Sequence, residues 1–553
     1  MQRRLLTDAL KHMGRLMNSR EPMSLILKGG RTNDVPHAAS VSPTSANREN
    51  THLGQLFESV AFNNLTKLAF TAKSVGWTYF DLLLASRAIS QSLLKLHAFQ
   101  TGDRVLLMLP NSAEYIAAFY GILLAGGVVV PIPPKTEAGY LQSIVHSTEA
   151  CAIITDPTIA NQRKDQPFHH QIEVDLSVLT HEDTLSSALT TGSELAAIFF
   201  TGGSTGTPKG VMLSHRNLIS NARSIRQYLQ ITPADRPLCV LPFHHAFGNS
   251  VWQSHLLAGA HLVCDGLTSF PETMVAALAR HECTSLSGVP DLFRVLLERS
   301  SLGQASLPHL RYMAVAGGAL PRHLSLEISR RIAPAEFYVM YGQTEATARL
   351  AYLRPNELEQ MPEGCIGQAV PGVTLEIVDE NGRPTLAGQI GELRASGDNV
   401  MLGYWRDASA TADRIRSGWL HTGDLASLDN AGRVTIHGRN SGFVKIAGYR
   451  VQPADLEDFA VRRLTATQAV AVAYECPTIG TRLALFVRFD QSKSNPNVSE
   501  MIARSRAELP RHMVPELIQL VDEFPLNSAM KIDRPLLQRW ADQAKAGSAR
   551  ALA

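Results

Sequence analysis

The sequence predicts an α/β protein, with a large N-terminal domain of layered, multiple sheets followed by a small α+β C-terminal domain. Two patterns carry this expectation. From about residue 51 onward, short apolar runs such as "RVLLMLP", "CAIIT", "AAIFF", "LCVLP", "AHLVC" and "RYMAVAGG" alternate with longer helical patterns such as "AEYIAAFYGILLAG" and "PDLFRVLLERS". Such alternation argues for sheets covered by helices. After about residue 440 the order changes to "FVKIAGYRVQ", the helical "PADLEDFAVRRL", the strands "AVAVAY" and "LALFVRF" and a helix near 499–508. That content suits a compact unit of about a hundred residues.

Composition narrows the class. A chain of 553 residues with 45% hydrophobic content is long enough for more than one domain and for a large core. Its 52 basic and 50 acidic residues leave a formal charge of +2, which offers no electrostatic footprint for nucleic acid. Six cysteines lie far apart without a C-x-x-C pair. This argues against zinc and against a disulfide framework, and fits a reducing cytoplasm. The most membrane-like stretch, "YIAAFYGILLAGGVVVPIPP" at 115–134, is uncharged but carries a Gly-Gly pair and three prolines. A helix, a turn and a buried strand account for it better than a span does. Residues 1–28 hold six basic and two acidic residues without a secretory apolar core, and 29–50 are polar and rich in Ser, Asn, Pro and Gly. The first reads as a surface helix or an organelle presequence, the second as a linker, so 1–50 form a basic extension.

The densest chemistry lies in "IFFTGGSTGTPKGVMLSHRN" at 198–217. Residues 201–210 hold four glycines, four hydroxyl side chains and one lysine. A phosphate loop of the G-x-x-x-x-G-K-[ST] type needs Gly before the lysine and a hydroxyl after it; here Pro208 precedes Lys209 and Gly210 follows. Gly202, Gly203, Ser204, Thr205 and Gly206 satisfy a G-x-S-x-G elbow literally. That elbow must turn at once into a helix, whereas another apolar stretch follows here and a helix becomes plausible only from the Ser214 cap. The segment therefore reads as a loop between two strands, whose N–H and O–H groups could wrap phosphates closely.

Further motifs follow in order: "LPFHHAFG" at 241–248, "AGGALP" at 316–321, "YGQTEA" at 341–346, "GELRASGDNVMLGYW" at 391–405, "GWLHTGDL" at 418–425, "GRNSGFVKIAGYRVQPADLE" at 438–457 and "PLNSAMKIDR" at 525–534. Together with the 201–210 loop they resemble the adenylate-forming, AMP-binding superfamily of acyl-CoA synthetases, fatty acyl-AMP ligases, peptide-synthetase adenylation domains and luciferases. The resemblance covers roughly 50–540. It implies an AMP-binding domain at about 51–440, holding the ATP and acyl sites, and a mobile lid domain at about 441–545 bearing a catalytic lysine.

The resemblance also implies roles. Thr201, Ser204, Thr205 and Lys209 would cradle the β and γ phosphates, and Glu345 would be a magnesium ligand, a partial shell of the kind that ion accepts. Within Y-G-Q-T-E, Tyr341 offers a face for adenine, Gly342 and Gln343 complete the nucleotide-binding loop, and Thr344 brings a hydroxyl to the α-phosphate. Gly317, Gly318 and Ala319 offer a backbone edge to the base, while Asp424 and Arg439 would hold the ribose. Lys531 resembles the lysine that bridges the attacking carboxylate and the α-phosphate, where charge grows in the transition state. His245 matches the residue lining the acyl channel. Adjacent His244 and His245 are not expected to bind a metal, because neighbouring side chains on extended backbone point apart. Gly248 stands where amino-acid-activating relatives carry an aspartate for the α-ammonium, so an acid without an α-amine is expected. Gly448 would approach the incoming thiol.

Ser441 and Met530 depart from the Asp or Lys and the Gly common at those positions, which leaves the hinge chemistry and the lysine loop open. The expected function is ATP-dependent ligation of a fatty or aryl acid to a thiol through acyl-AMP, with ATP, Mg2+ and CoA as cofactors. A carrier protein's phosphopantetheine is the alternative acceptor, and a serine hydrolase using Ser204 a more distant rival. A homodimer stays open as the assembly.

Overall fold

Apolar runs became strands where both faces are covered. In Arg104–Met108, Val128–Pro131, Ala152–Thr155 and Leu195–Thr201 nearly every side chain is buried, the condition under which parallel strands read as unbroken apolar segments. The computed structural model describes residues 52–156, 171–173, 194–201, 209–266, 268–439, 444–446, 449–451, 453–476, 480–490, 497–527 and 531–550. The expectations for residues 1–50, Ser204, Thr205, Ser441, Gly448 and Met530 fall outside them, as does the side chain of Arg439. Residues 50–553 form one compact unit.

Among the described residues, one sheet has seven strands in the order Gly403–Tyr404, Lys209–Ser214, Leu195–Thr201, Val128–Pro131, Arg104–Met108, Ala152–Thr155, Gln171–Glu173. Its last five strands are mutually parallel, and the first two pair antiparallel at the edge. A fourteen-stranded sheet includes the consecutive parallel strands Ser285–Gly288, Tyr312–Val315 and Glu336–Tyr341, then continues antiparallel through Ala351–Leu353, Cys365–Ala369 and Val434–Arg439 to Trp419–Leu428. One hydrophobic core holds side chains of both sheets together with helices Leu53–Phe62, Tyr79–Leu94, Ala113–Leu124 and Ala246–Leu256. Trp252 lies at its centre, fully buried, with the Phe119 and Tyr120 rings edge-on at 5.3 and 5.7 Å.

The membrane-like stretch resolves as expected. Ser112 caps helix Ala113–Leu124 by accepting from the Tyr115 N–H, Gly126 turns the chain at φ 83°, and strand Val128–Pro131 follows. Among the described residues no helix is long and apolar enough to cross a membrane. The run "LCVLP" yields only the two-residue strand Pro237–Leu238, because prolines at both ends limit its ladder.

Beyond residue 440, Val444–Ile446 pairs with Tyr449–Val451, and Gln468–Cys476 pairs antiparallel with Gly480–Arg488, which takes Leu517–Leu520 as a parallel neighbour. Period-two alternation divides this small sheet between two cores. Ala469, Ala471, Leu483 and Leu485 face helices Pro453–Arg463 and Val498–Glu508. Val470, Val472, Ala484 and Phe486 face the C-terminal helix Arg534–Arg550 through Leu537 and Ala541. The small sheet meets the larger body along helix Pro290–Arg299. There Gln468 Nε2 donates to Asp291 at 2.9 Å, Arg294 donates to the Thr467 carbonyl at 3.3 Å, and Arg488 and Arg299 pair with Glu298 and Glu523.

Candidate active site

The hydroxyl-rich loop joins two antiparallel strands, with Thr201 opposite Lys209 in register. Helix His215–Tyr228 begins only after strand Lys209–Ser214, where Ser214 and Asn217 close a reciprocal capping box. A serine elbow calls for a helix directly after its turn, whereas the described chain enters strand Lys209–Ser214 first. Thr201 Oγ1 reaches back to the Lys209 carbonyl at 3.4 Å, which ties the two ends of the loop together.

The short strand Gly403–Tyr404 pairs with Lys209–Ser214 and brings in a residue that sequence reasoning had not singled out. The Tyr404 ring lies 5.1 Å from the Lys209 ammonium, and its hydroxyl donates to Glu345 Oε1 at 2.8 Å. Burial and the adjacent carboxylate hold that phenol protonated, well above its ordinary range. Glu345 itself is buried, and its carbonyl accepts from the Met401 N–H. Lysine, phenol and carboxylate thus form one connected edge beside the loop. Tyr404 belonged to a quoted motif, but its part depends on a strand pairing that no local pattern announces.

Thr344 opens the single-turn segment Thr344–Ala346 that presents Glu345. Gln343 precedes it, with Nε2 buried and no hydrogen-bond partner among the described residues, a donor suited to a ligand. Gly342 packs against the Ala348 carbonyl, which a Cβ would approach to 2.0 Å. The Tyr341 hydroxyl donates to Asp424, a buried carboxylate on strand Trp419–Leu428. Arg439 stands opposite Asp424 in the adjoining strand. The residues that the resemblance assigns to base stacking and ribose binding therefore share one corner.

Gly317, Gly318 and Ala319 follow strand Tyr312–Val315. Gly317 has φ 89°, and a Cβ there would stand 3.1 Å from Lys531 Cε and 3.5 Å from Lys531 Nζ. The lysine of the C-terminal segment thus lies directly over the loop expected to edge the base. Its own hairpin is fixed by mutual bonds, Asn527 N–H to the Lys531 carbonyl at 2.8 Å and Lys531 N–H to Asn527 Oδ1 at 3.1 Å.

The expected geometry of the His244–His245 pair needs correction. His245 is the residue before helix Ala246–Leu256, but its ring does not point away from His244: their centroids are 4.4 Å apart. Burial, reinforced by His245, lowers the His244 pKa to about 3, so that ring is neutral near pH 7. Among the described residues no cluster of three or more His, Cys, Asp or Glu could hold a metal. At Gly248 a Cβ would meet the Pro242 carbonyl oxygen at 2.0 Å. Backbone packing thus accounts for the glycine, and the position supplies no carboxylate for an α-ammonium.

A second residue escaped the sequence reading. Arg349, in "ATARLAYL", is fully buried, with its guanidinium 4.3 Å from the centre of the Phe247 ring. Nothing local distinguishes it from any arginine in an apolar run.

Two sheets converging on a hydroxyl-rich hairpin, with a lysine from a C-terminal unit over the same cleft, define an adenylate-forming enzyme. The chain belongs to the AMP-binding enzyme family, whose model matches residues 57–405, and acyl-CoA ligation is its family-level activity. Curated relatives include a long-chain-fatty-acid–CoA ligase from Escherichia coli O6:H1, 28% identical and covering 87% of this chain and 93% of its own. A medium-chain fatty-acid–CoA ligase from Escherichia coli K12 is 26% identical over 84% and 86%. Among solved structures, ATP-bound MatB from Rhodopseudomonas palustris superposes with a TM-score of 0.76 at 26% identity, covering 88% of this chain and 98% of that one. ATP and AMP are accordingly the nucleotides this fold binds.

Proposed function

We propose that the protein activates a carboxylic acid lacking an α-amine, with a fatty or aryl acyl group, as acyl-AMP, and then passes the acyl group to the thiol of CoA. The observation that carries this reading is Lys531 lying over Gly317. In the first half-reaction a carboxylate oxygen of the acid attacks the α-phosphorus of ATP, the α–β phosphoanhydride bond breaks, and pyrophosphate leaves. Lys531 would neutralise charge shared by the attacking carboxylate and the α-phosphate, an effect that grows in the transition state. Thr344 would orient the same phosphate, while Lys209 with Thr201, Ser204 and Thr205 would hold the departing pyrophosphate. Tyr341, Gly318 and Ala319 would receive the base, and Asp424 with Arg439 the ribose.

Magnesium fits Glu345. Tyr404 fixes one carboxylate oxygen, and the other makes no hydrogen bond among the described residues. One carboxylate completed by phosphate oxygens and water is a usual magnesium shell. The ion would supply charge neutralisation to the triphosphate.

For the second half-reaction, residues 441–545 would act as a lid that leaves helix Pro290–Arg299 and brings the segment of Gly448 toward the acyl-AMP. The polar character of that junction supports this: it is made of hydrogen bonds and ion pairs that water can replace. The test is pyrophosphate release from ATP across a panel of carboxylic acids, followed by thioester formation on adding CoA. ATP-dependent pyrophosphate release with no thioester on CoA, but with acyl transfer to a phosphopantetheinylated carrier, would replace CoA by the carrier protein. No acid-dependent release at all would refute the ligase reading.

A further inference from the structure

Among the described residues, Arg349 is a buried cation without a counter-ion. Its side chain is 1% exposed. Its polar contacts are the Tyr228 hydroxyl and, at 3.3 Å from Nη1, the Ala348 carbonyl, while Nε has no hydrogen-bond partner among the described residues. No described carboxylate pairs with it. By contrast, the comparably buried Asp235 is paired with Arg311 and bonded to Thr284. Removing a guanidinium from water without an anion costs several kcal/mol, and a fixed planar fork of donors matches a carboxylate well.

Position gives this charge a meaning. The Arg349 backbone abuts the nucleotide loop, since a Cβ on Gly342 would come within 2.9 Å of Arg349 Cα and the next residue, Leu350, donates to the Tyr341 carbonyl. Its guanidinium lies over Phe247, two residues beyond His245. The surroundings are aromatic, with Tyr228 stacked on Tyr352 at 4.4 Å and the Tyr312 hydroxyl bonded to His255. Burial lowers the His255 pKa to about 4, so that ring brings no charge near pH 7. A cation thus stands between the adenylating loop and the segment of the acyl channel, facing neutral groups.

We infer that the acid activated by this enzyme carries a second carboxylate, held by Arg349 beside the acyl channel. This rests on the ligase reading above and specifies its substrate class. The same charge would repel an α-ammonium, which adds to the exclusion of amino acids read from Gly248.

The test compares saturated α,ω-dicarboxylic acids from malonate to sebacate, with phthalate and terephthalate, each against the monocarboxylic acid of equal length. Wild type and Arg349→Met are assayed by ATP-dependent pyrophosphate release, and by the shift in Tm that each acid produces without ATP. At one chain length or ring geometry the wild type should prefer the dicarboxylate by about a hundredfold in kcat/KM, the scale of a buried charge-assisted hydrogen bond. Arg349→Met should lose that preference, retain activity on the matched monocarboxylate, and no longer be stabilised by the dicarboxylate. A wild type that prefers monocarboxylates throughout would overturn the inference, as would a variant losing activity on all acids together with Tm, which marks a purely packing role. If no acid releases pyrophosphate, the ligase reading fails; a dicarboxylate-specific Tm shift abolished in Arg349→Met would still uphold the anion site, and its absence would reject it.

Discussion

The cleft has two walls of different construction. The one formed by Tyr341, Glu345, Tyr404 and Asp424 is tied to sheet strands and closed by hydrogen bonds among half-buried or buried groups. The one formed by Lys531 reaches the cleft from a unit seated on helix Pro290–Arg299 through exposed or partly exposed polar pairs. A sheet wall holds its geometry because each residue is fixed by several neighbours. A polar seat contributes little net energy per contact. On the proposed reading, positioning and detachability fall to different parts of the chain, with the chemistry where they meet.

The largest expected effect breaks the contrast at its meeting point. Lys531→Ala should lower acyl-AMP formation by about three orders of magnitude, the usual loss for one preorganised electrostatic partner. Thioester formation from supplied acyl-AMP and the Tm should remain near wild type. Equal losses in both half-reactions, with a lower Tm, would make the lysine a mere anchor.

Next comes the fixed wall. Glu345→Gln should cost about a hundredfold in pyrophosphate release at limiting magnesium, and Tyr404→Phe about tenfold through the lost hydrogen bond to a carboxylate. If Tyr404→Phe matches wild type at every magnesium concentration, the connected edge is incidental. Gly317→Ala should fall in the same range, about tenfold, because it strains a positive φ and crowds the lysine. Single-turnover adenylation would measure it.

The smallest effects belong to the seat. Burial raises the Asp291 pKa, with Gln468 partly offsetting it. A docked unit that holds a proton more tightly than the undocked one gains stability as pH falls, and loses it as pH rises past the docked pKa. Asp291→Asn should remove that dependence and favour docking, changing the ratio of the two half-reaction rates by about two- to threefold. Rate profiles against pH for both half-reactions, wild type beside variant, test the sign.

Legibility in the sequence followed how local each cause is. Helix His215–Tyr228 was readable because Ser214 caps it, and the hairpin because glycines and an apolar run bracket the loop. The motif residues Tyr341, Glu345, Asp424 and Lys531 were found by resemblance, and the fold joins Tyr341 to Asp424 and Glu345 to Tyr404 and sets Lys531 against Gly317. Tyr404 and Arg349 were missed because their importance comes from what faces them: a strand edge in one case, the absence of any acid in the other. His244 and His245 misled because they lie in a turn closed by the His245 N–H on the Pro242 carbonyl, so alternation of side chains does not apply.

Gly248 bears on how this enzyme could change over evolutionary time. With the Pro242 carbonyl occupying the space of its first side-chain atom, replacement by aspartate cannot simply add an ammonium-binding group. The turn at 241–245 would first have to be rebuilt, so a lineage starting here reaches amino-acid activation only through intermediates that disturb the packing around His245.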